Sequence, residues 1–138
     1  MRKTNKLYST TFRRNINRDS RSNKKRHQIK NLIECSLDFL NNLKLFHWNT
    51  HSYSEHMASD ELFEDLVKKT DKLVESLLQN RVPIKTSITL NTDKKSFMNK
   101  LNSFKKMMKT VSLSEELYSL RDDILIDIDQ FEYRLTFH

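Results

Sequence analysis

The sequence predicts an all-α fold: a four-helix bundle of two antiparallel helical hairpins joined by a long crossover, preceded by a disordered basic tail. Three observations carry this expectation. The 138 residues contain no Gly and one Pro. Sheets and tight turns draw on backbone with positive φ, which Gly supplies most cheaply, so all-β and Rossmann-type folds are disfavoured. Apolar residues recur at helical spacing in four separate stretches. The connections between those stretches run short, long, short.

In chain order, Ile29, Ile33, Leu37, Leu40, Leu43, Phe46 and His47 define the inner face of a first helix over about 28–49. Ser52 and Glu55 are spaced as a capping box for a second helix over about 53–79, with Leu62, Phe63, Leu66, Leu73 and Leu77 inward. A third helix, about 93–110, carries Phe97, Leu101, Phe104 and Met108, followed by Val111. Ser112 and Glu115 repeat the capping spacing. The fourth helix then presents Leu117, Leu120, Ile124, Ile128, Phe131 and Leu135. The middle connection, NRVPIKTSITLNT, holds Pro83. A helix of ~26 residues is ~39 Å long, and about 13 extended residues at ~3.3 Å each can just cover that. Two hairpins joined end to end in this way make the ferritin-like arrangement. Residues 28–138 are expected to form this bundle and 1–27 the tail.

The net charge of +7 is divided unevenly. Residues 1–30 hold eleven Lys/Arg and one acid, Asp19, while the remainder is net −3. Such a basic block is expected to be disordered alone and to attract polyanions. Nucleic acid is the expected partner, through Arg2, Lys3, Lys6, Arg13, Arg14, Arg18, Arg21, Lys24, Lys25 and Arg26. A solubilising or nuclear-import segment would have the same composition. The single cysteine, Cys35, permits no internal disulfide and suits a reducing setting. No apolar run reaches the ~20 residues of a membrane span, and the start lacks the apolar core of a secretory signal. An intracellular protein, in cytoplasm, nucleus, nucleoid or virion, is the expectation.

Three of the five histidines fall in FHWNTHSYSEH, residues 46–56. At 100° per residue, His47 lies on the inner side of its helix, while His56, Asp60, Glu64, Asp71 and Glu75 form a polar stripe beside the apolar face of the next. Glu61, Asp65, Lys68 and Lys72 are expected on the fully exposed side. Asp71 and Glu75, one turn apart, could grip one cation, and an imidazole would adapt such a site to iron or zinc. His56 is ~22 Å away along the same helix and cannot complete it. His47 lies beside His56. One chain therefore holds a histidine half-site (His47, His56, Asp60) and a carboxylate half-site (Asp71, Glu75), with Glu64 a weaker candidate for a second ion. A two-fold axis across the second helices would join each half to its complement in another copy.

With these residues in view, the stretch 40–78 resembles the ferritins called DNA-protection proteins from starved cells (Dps). His47-Trp48-Asn49, then His56 with Asp60, then Asp71 with Glu75 follow that family's order of ligands. The resemblance implies a non-haem iron-oxidising centre between subunits, peroxide or oxygen as oxidant, a homodimer or a larger shell such as a dodecamer, and DNA binding through the basic tail. It would make Trp48 a quencher of one-electron by-products. The two histidines stand closer in sequence than is usual in that family, and no Gly follows Asn49, so the corner is rebuilt. It also resembles ferritin-like proteins of large DNA viruses and phages. The rival expectation is a non-catalytic nucleic-acid-binding or virion structural protein on the same bundle, with the polar stripe as a plain dimer interface. His51 is expected to be exposed, and Met107 and Met108 to be core and its edge.

Overall fold

The computed structural model describes residues 5–78 and 85–137, with the backbone alone for 5–19. Among the described residues the chain has four α-helices and no strand: α1 (Asn5–Asn49), α2 (Tyr53–Leu77), α3 (Lys94–Thr110) and α4 (Glu115–Arg134). Arg2, Lys3, Pro83 and His138 lie outside the described residues.

Polar bonds between helices fix their directions. Lys44 meets Asp60 across α1 and α2, and Lys100 meets Asp38 across α3 and α1. Lys69 meets Asp127 and Arg134 meets Glu61 across α2 and α4. Lys105 meets Glu132 across α3 and α4. Rising numbers on one helix meet falling numbers on the other for α2 and α4 (61 with 134, 69 with 127), for α1 and α2 (44 with 60, 47 with 56) and for α1 and α3 (39 with 104, 46 with 97), so these three pairs are antiparallel. α1 packs on α2 and α3, and α4 packs on α2 and more lightly on α3; α2 and α3 do not pack on each other.

The long connection returns along the bundle. Lys94, at the start of α3, pairs with Glu55 at the start of α2, so both helices begin at the same end. On the way, the loop is clasped to the C-terminal third of α1. Asn42 is buried; its Nδ2 donates to the Thr89 carbonyl at 2.9 Å and to the Asp38 carbonyl at 2.7 Å, and its Oδ1 accepts from Asn91 N–H at 3.0 Å. Lys100 adds bonds to Asp38 and to the Thr89 carbonyl, each at 2.8 Å. A loop without its own ladder needs such partners for its polar backbone.

The core lies between the helices, with Leu32, Phe39, Leu43, Leu66, Leu73, Leu101, Phe104, Ile124 and Ile128 almost wholly buried. Phe39 stacks on Phe104 with ring centres 4.7 Å apart, and Phe46 stacks on Phe97 at 4.3 Å. Met108 is buried and Met107 lies at its edge, a packing role for both.

Several expectations change. α1 begins at Asn5 rather than near 28, because no Gly or Pro interrupts it. Its buried face carries Leu32 and Phe39, whereas Leu37 is 40% exposed. α4 is capped by Ser114, not Ser112. The Ser112 carbonyl accepts from Gln28 Nε2, and Leu117 N–H donates to the Ser114 carbonyl. Glu116, held by its own backbone N–H and then by the Ser114 hydroxyl, has its carboxyl drawn below the ordinary value. Among the described residues, no helix is long and apolar enough to cross a membrane.

Candidate metal-binding corner

The corner between α1 and α2 takes three residues, 50–52. Thr50 N–H closes the last turn of α1 on the Phe46 carbonyl at 2.9 Å. Ser52, in extended backbone, caps α2 by accepting from Glu55 N–H. The Glu55 carboxylate reaches back to the Thr50 hydroxyl at 2.7 Å and forward to Lys94. No described residue has positive φ, so this corner closes without Gly.

The tight return brings His47 and His56 together. Their rings stack with centres 3.9 Å apart. His47 Nδ1 lies 3.0 Å from the His56 carbonyl, and His56 Nδ1 lies 3.2 Å from the His47 carbonyl. A carbonyl can only accept, so each Nδ1 carries a hydrogen. In the neutral rings each Nε2 is then left with a free lone pair, the state a metal ligand requires. Ser59, buried at the base of the corner, stands 3.2 Å from His47 Nδ1 and gives its own hydrogen to the Glu55 or His56 carbonyl.

Asp60, one turn after His56, places Oδ1 3.7 Å from His47 Nε2. His47 therefore meets both His56, through its ring, and Asp60, through Nε2. Lys44, a residue the sequence reading overlooked, shares this carboxylate: its ammonium lies 3.7 Å from Asp60 Oδ1 and 4.6 Å from the centre of the Phe63 ring. The signal was available, since Lys44 precedes His47 by about one helical turn. Ser59 and the backbone carbonyls were missed because only the folded corner aims them.

Asp71 and Glu75 are exposed on α2. Neither has an ion-pair partner among the described residues, and Lys68 and Lys72 do not reach them. Glu64 is likewise exposed and has no ion-pair partner among the described residues. By helix rise the carboxylate pair is ~22 Å from His56, so the structure does not bring the two half-sites together within one chain. Among the described residues no three His, Cys, Asp or Glu side chains come close enough to hold a metal ion.

The side expected to be fully exposed is corrected in part. Glu61 pairs with Arg134, and half-buried Asp65 borders a groove against α4. α2 packs between α1 and α4, so its outward face is the one bearing Tyr53, Met57, Glu64, Val67 and Asp71. Tyr53 is 78% exposed and Trp48, beside His47, 69%. Trp48 is thus no packing anchor within its own chain. His51 is exposed as expected.

The fold and this corner define an all-α bundle protein with a histidine–carboxylate surface at one helix junction. Residues 47–135, more than half of the chain, match DUF5856, described as a family of unknown function, and the protein belongs to that family. No curated protein and no solved structure matches the chain.

Proposed function

We propose that this protein binds Fe(II) and oxidises it with peroxide or oxygen at a site shared by two copies, as in the Dps proteins that residues 40–78 resemble. The observation that carries this reading is the reciprocal lock of His47 and His56 through Nδ1, which leaves both Nε2 atoms out of those bonds, that of His47 3.7 Å from Asp60 Oδ1. Nitrogen and carboxylate donors together suit non-haem iron. Asp71 and Glu75, exposed and unpaired, would complete the site of a second copy across a two-fold axis. The neighbour order of the helices and the returning crossover support the ferritin-like arrangement.

Iron is here the substrate. Each Fe(II) gives up one electron, and a pair of them reduces one peroxide, with two protons, to water. His47, His56 and Asp60 would hold the ion, and Trp48 beside them would take up stray one-electron equivalents. Nucleic-acid association through the basic N-terminal segment would place this chemistry near the polymer that iron and peroxide damage. An intracellular setting and a homodimer or larger shell belong to the same reading.

The test adds Fe(II) anaerobically, then peroxide, and follows ferric absorbance in wild type and in Asp71→Ala/Glu75→Ala. Oxidation well above a protein-free blank, lost in the double variant, is expected. Oxidation no faster than the blank in wild type overturns the reading. One observation favours the second reading, a non-catalytic nucleic-acid-binding or virion structural protein: Lys44 already neutralises Asp60, as it would in a metal-free interface.

A further inference from the structure

Residues 21–27 are all exposed, and half-buried positions begin at Gln28, whose side chain bonds the Ser112 carbonyl. The bundle therefore ends near Gln28, yet α1 continues back to Asn5 without a break. The 23 residues from Asn5 to His27 make a helical arm roughly 34 Å long. That is close to one turn of duplex DNA, and the major groove admits an α-helix.

The helical register sorts the charges of this arm. At 100° per residue, the positions of Lys6, Arg13, Arg14, Arg18, Arg21 and Lys24 fall within an arc of about 140°, and Lys25 falls inside it. Asp19, the acid of this segment, falls on the opposite side, and of the basic positions from Lys6 to Arg26, Arg26 alone falls with it. A flexible polycation needs no such order, because a coil presents every charge in turn. A helix that meets a phosphate surface on one side does need it.

Resting on the nucleic-acid part of the proposed function, we infer that the arm engages duplex nucleic acid as a helix, through one cationic face continuous with α1. The unbroken helix at the junction with the bundle then fixes where the candidate metal-binding corner stands relative to the duplex. Phosphate neutralisation supplies the affinity, so binding weakens steeply with salt.

The experiment uses the full-length chain and a fluorescently labelled 20-base-pair duplex, read by anisotropy over a salt series. Three proteins are compared: wild type, Arg14→Glu/Arg18→Glu/Arg21→Glu, and Asn17→Pro, which keeps every charge but breaks the helix. Circular dichroism melting confirms that the bundle of each variant is intact. Both variants are expected to bind at least tenfold more weakly than wild type, the charge-reversed one with a shallower salt dependence. Wild-type affinity in Asn17→Pro, with loss in the charge variant, overturns the helical mode and leaves the basic segment as a plain polycation. Wild-type affinity in both overturns the nucleic-acid reading itself. Tighter binding to phosphatidylserine–phosphatidylcholine vesicles than to the duplex, at equal salt, overturns the choice of partner.

Discussion

Lys44→Met tests the corner with one substitution. The Lys44 ammonium lies 3.7 Å from Asp60 Oδ1, where it competes with any cation that the carboxylate and the two imidazoles would hold. Two unit charges at that distance attract by ~4–5 kcal/mol at an effective dielectric of ~20. The Asp60 side chain is 43% exposed, so solvent and side-chain entropy reduce the net value to about 1 kcal/mol or less. Methionine keeps an apolar stem against Phe63 while removing the charge. Cation binding should therefore tighten by roughly fivefold. Direct repulsion between Lys44 and a divalent ion acts in the same direction. Anaerobic calorimetry with Co(II), which is not oxidised under these conditions, measures the dissociation constant in both proteins. A variant that melts like wild type but binds Co(II) no more tightly would refute the reasoning, because the charge nearest the carboxylate would then have no bearing on cation capture.

Two further predictions concern the frame. Asn42→Ala removes the clasp on the crossover loop, taking one of two donors from the Thr89 carbonyl and leaving Asn91 N–H without its partner; the expected loss is about 2 kcal/mol, a fall in Tm of roughly 6–12 °C by circular dichroism, and an unchanged Tm would show that the loop is held elsewhere. Asp93, the cap of α3, has its carboxyl lowered from the ordinary 3.8, chiefly by Ser96. A depressed carboxyl contributes stability above its unfolded pKa and loses it as pH falls through the folded value. Asp93→Asn should therefore flatten the fall in Tm between pH 5 and pH 2.5, and an identical acid slope in the two proteins would assign that dependence to other groups.

The helices were legible in the sequence where local chemistry sets their ends. Ser52 caps α2 as its spacing with Glu55 predicts, and α3 starts within a residue of the expected position, behind Asp93. The start of α1 was not legible. A run of Lys, Arg and Asn argues against a folded core, but it does not argue against extending a helix that residues 28–49 already nucleate. Leu37 was misassigned because angular position alone does not say which of several adjacent apolar residues meets a neighbouring helix; Leu32 and Phe39 do, and Leu37 does not. At the corner, residue types and spacing picked out His47, His56 and Asp60. They could not reveal the mutual bonds to backbone carbonyls or the intrusion of Lys44, since both depend on how three corner residues aim two helices.

That corner also determines which substitutions are informative. A histidine on an inner helix face commonly makes one hydrogen bond and has no further role. Here each ring uses Nδ1 on the other's carbonyl, so the pair fastens the end of α1 to the start of α2 and leaves both Nε2 atoms out of those bonds. Replacing His47 or His56 removes a structural bond and a candidate ligand together, and a loss of iron oxidation in either variant would say little about chemistry. Asp71 and Glu75 bear no such double role. They are exposed and make no ion pair among the described residues, so their removal should change stability by no more than about 0.5 kcal/mol. A large effect on oxidation from two carboxylates ~22 Å from the histidines of their own chain would then point to a second copy.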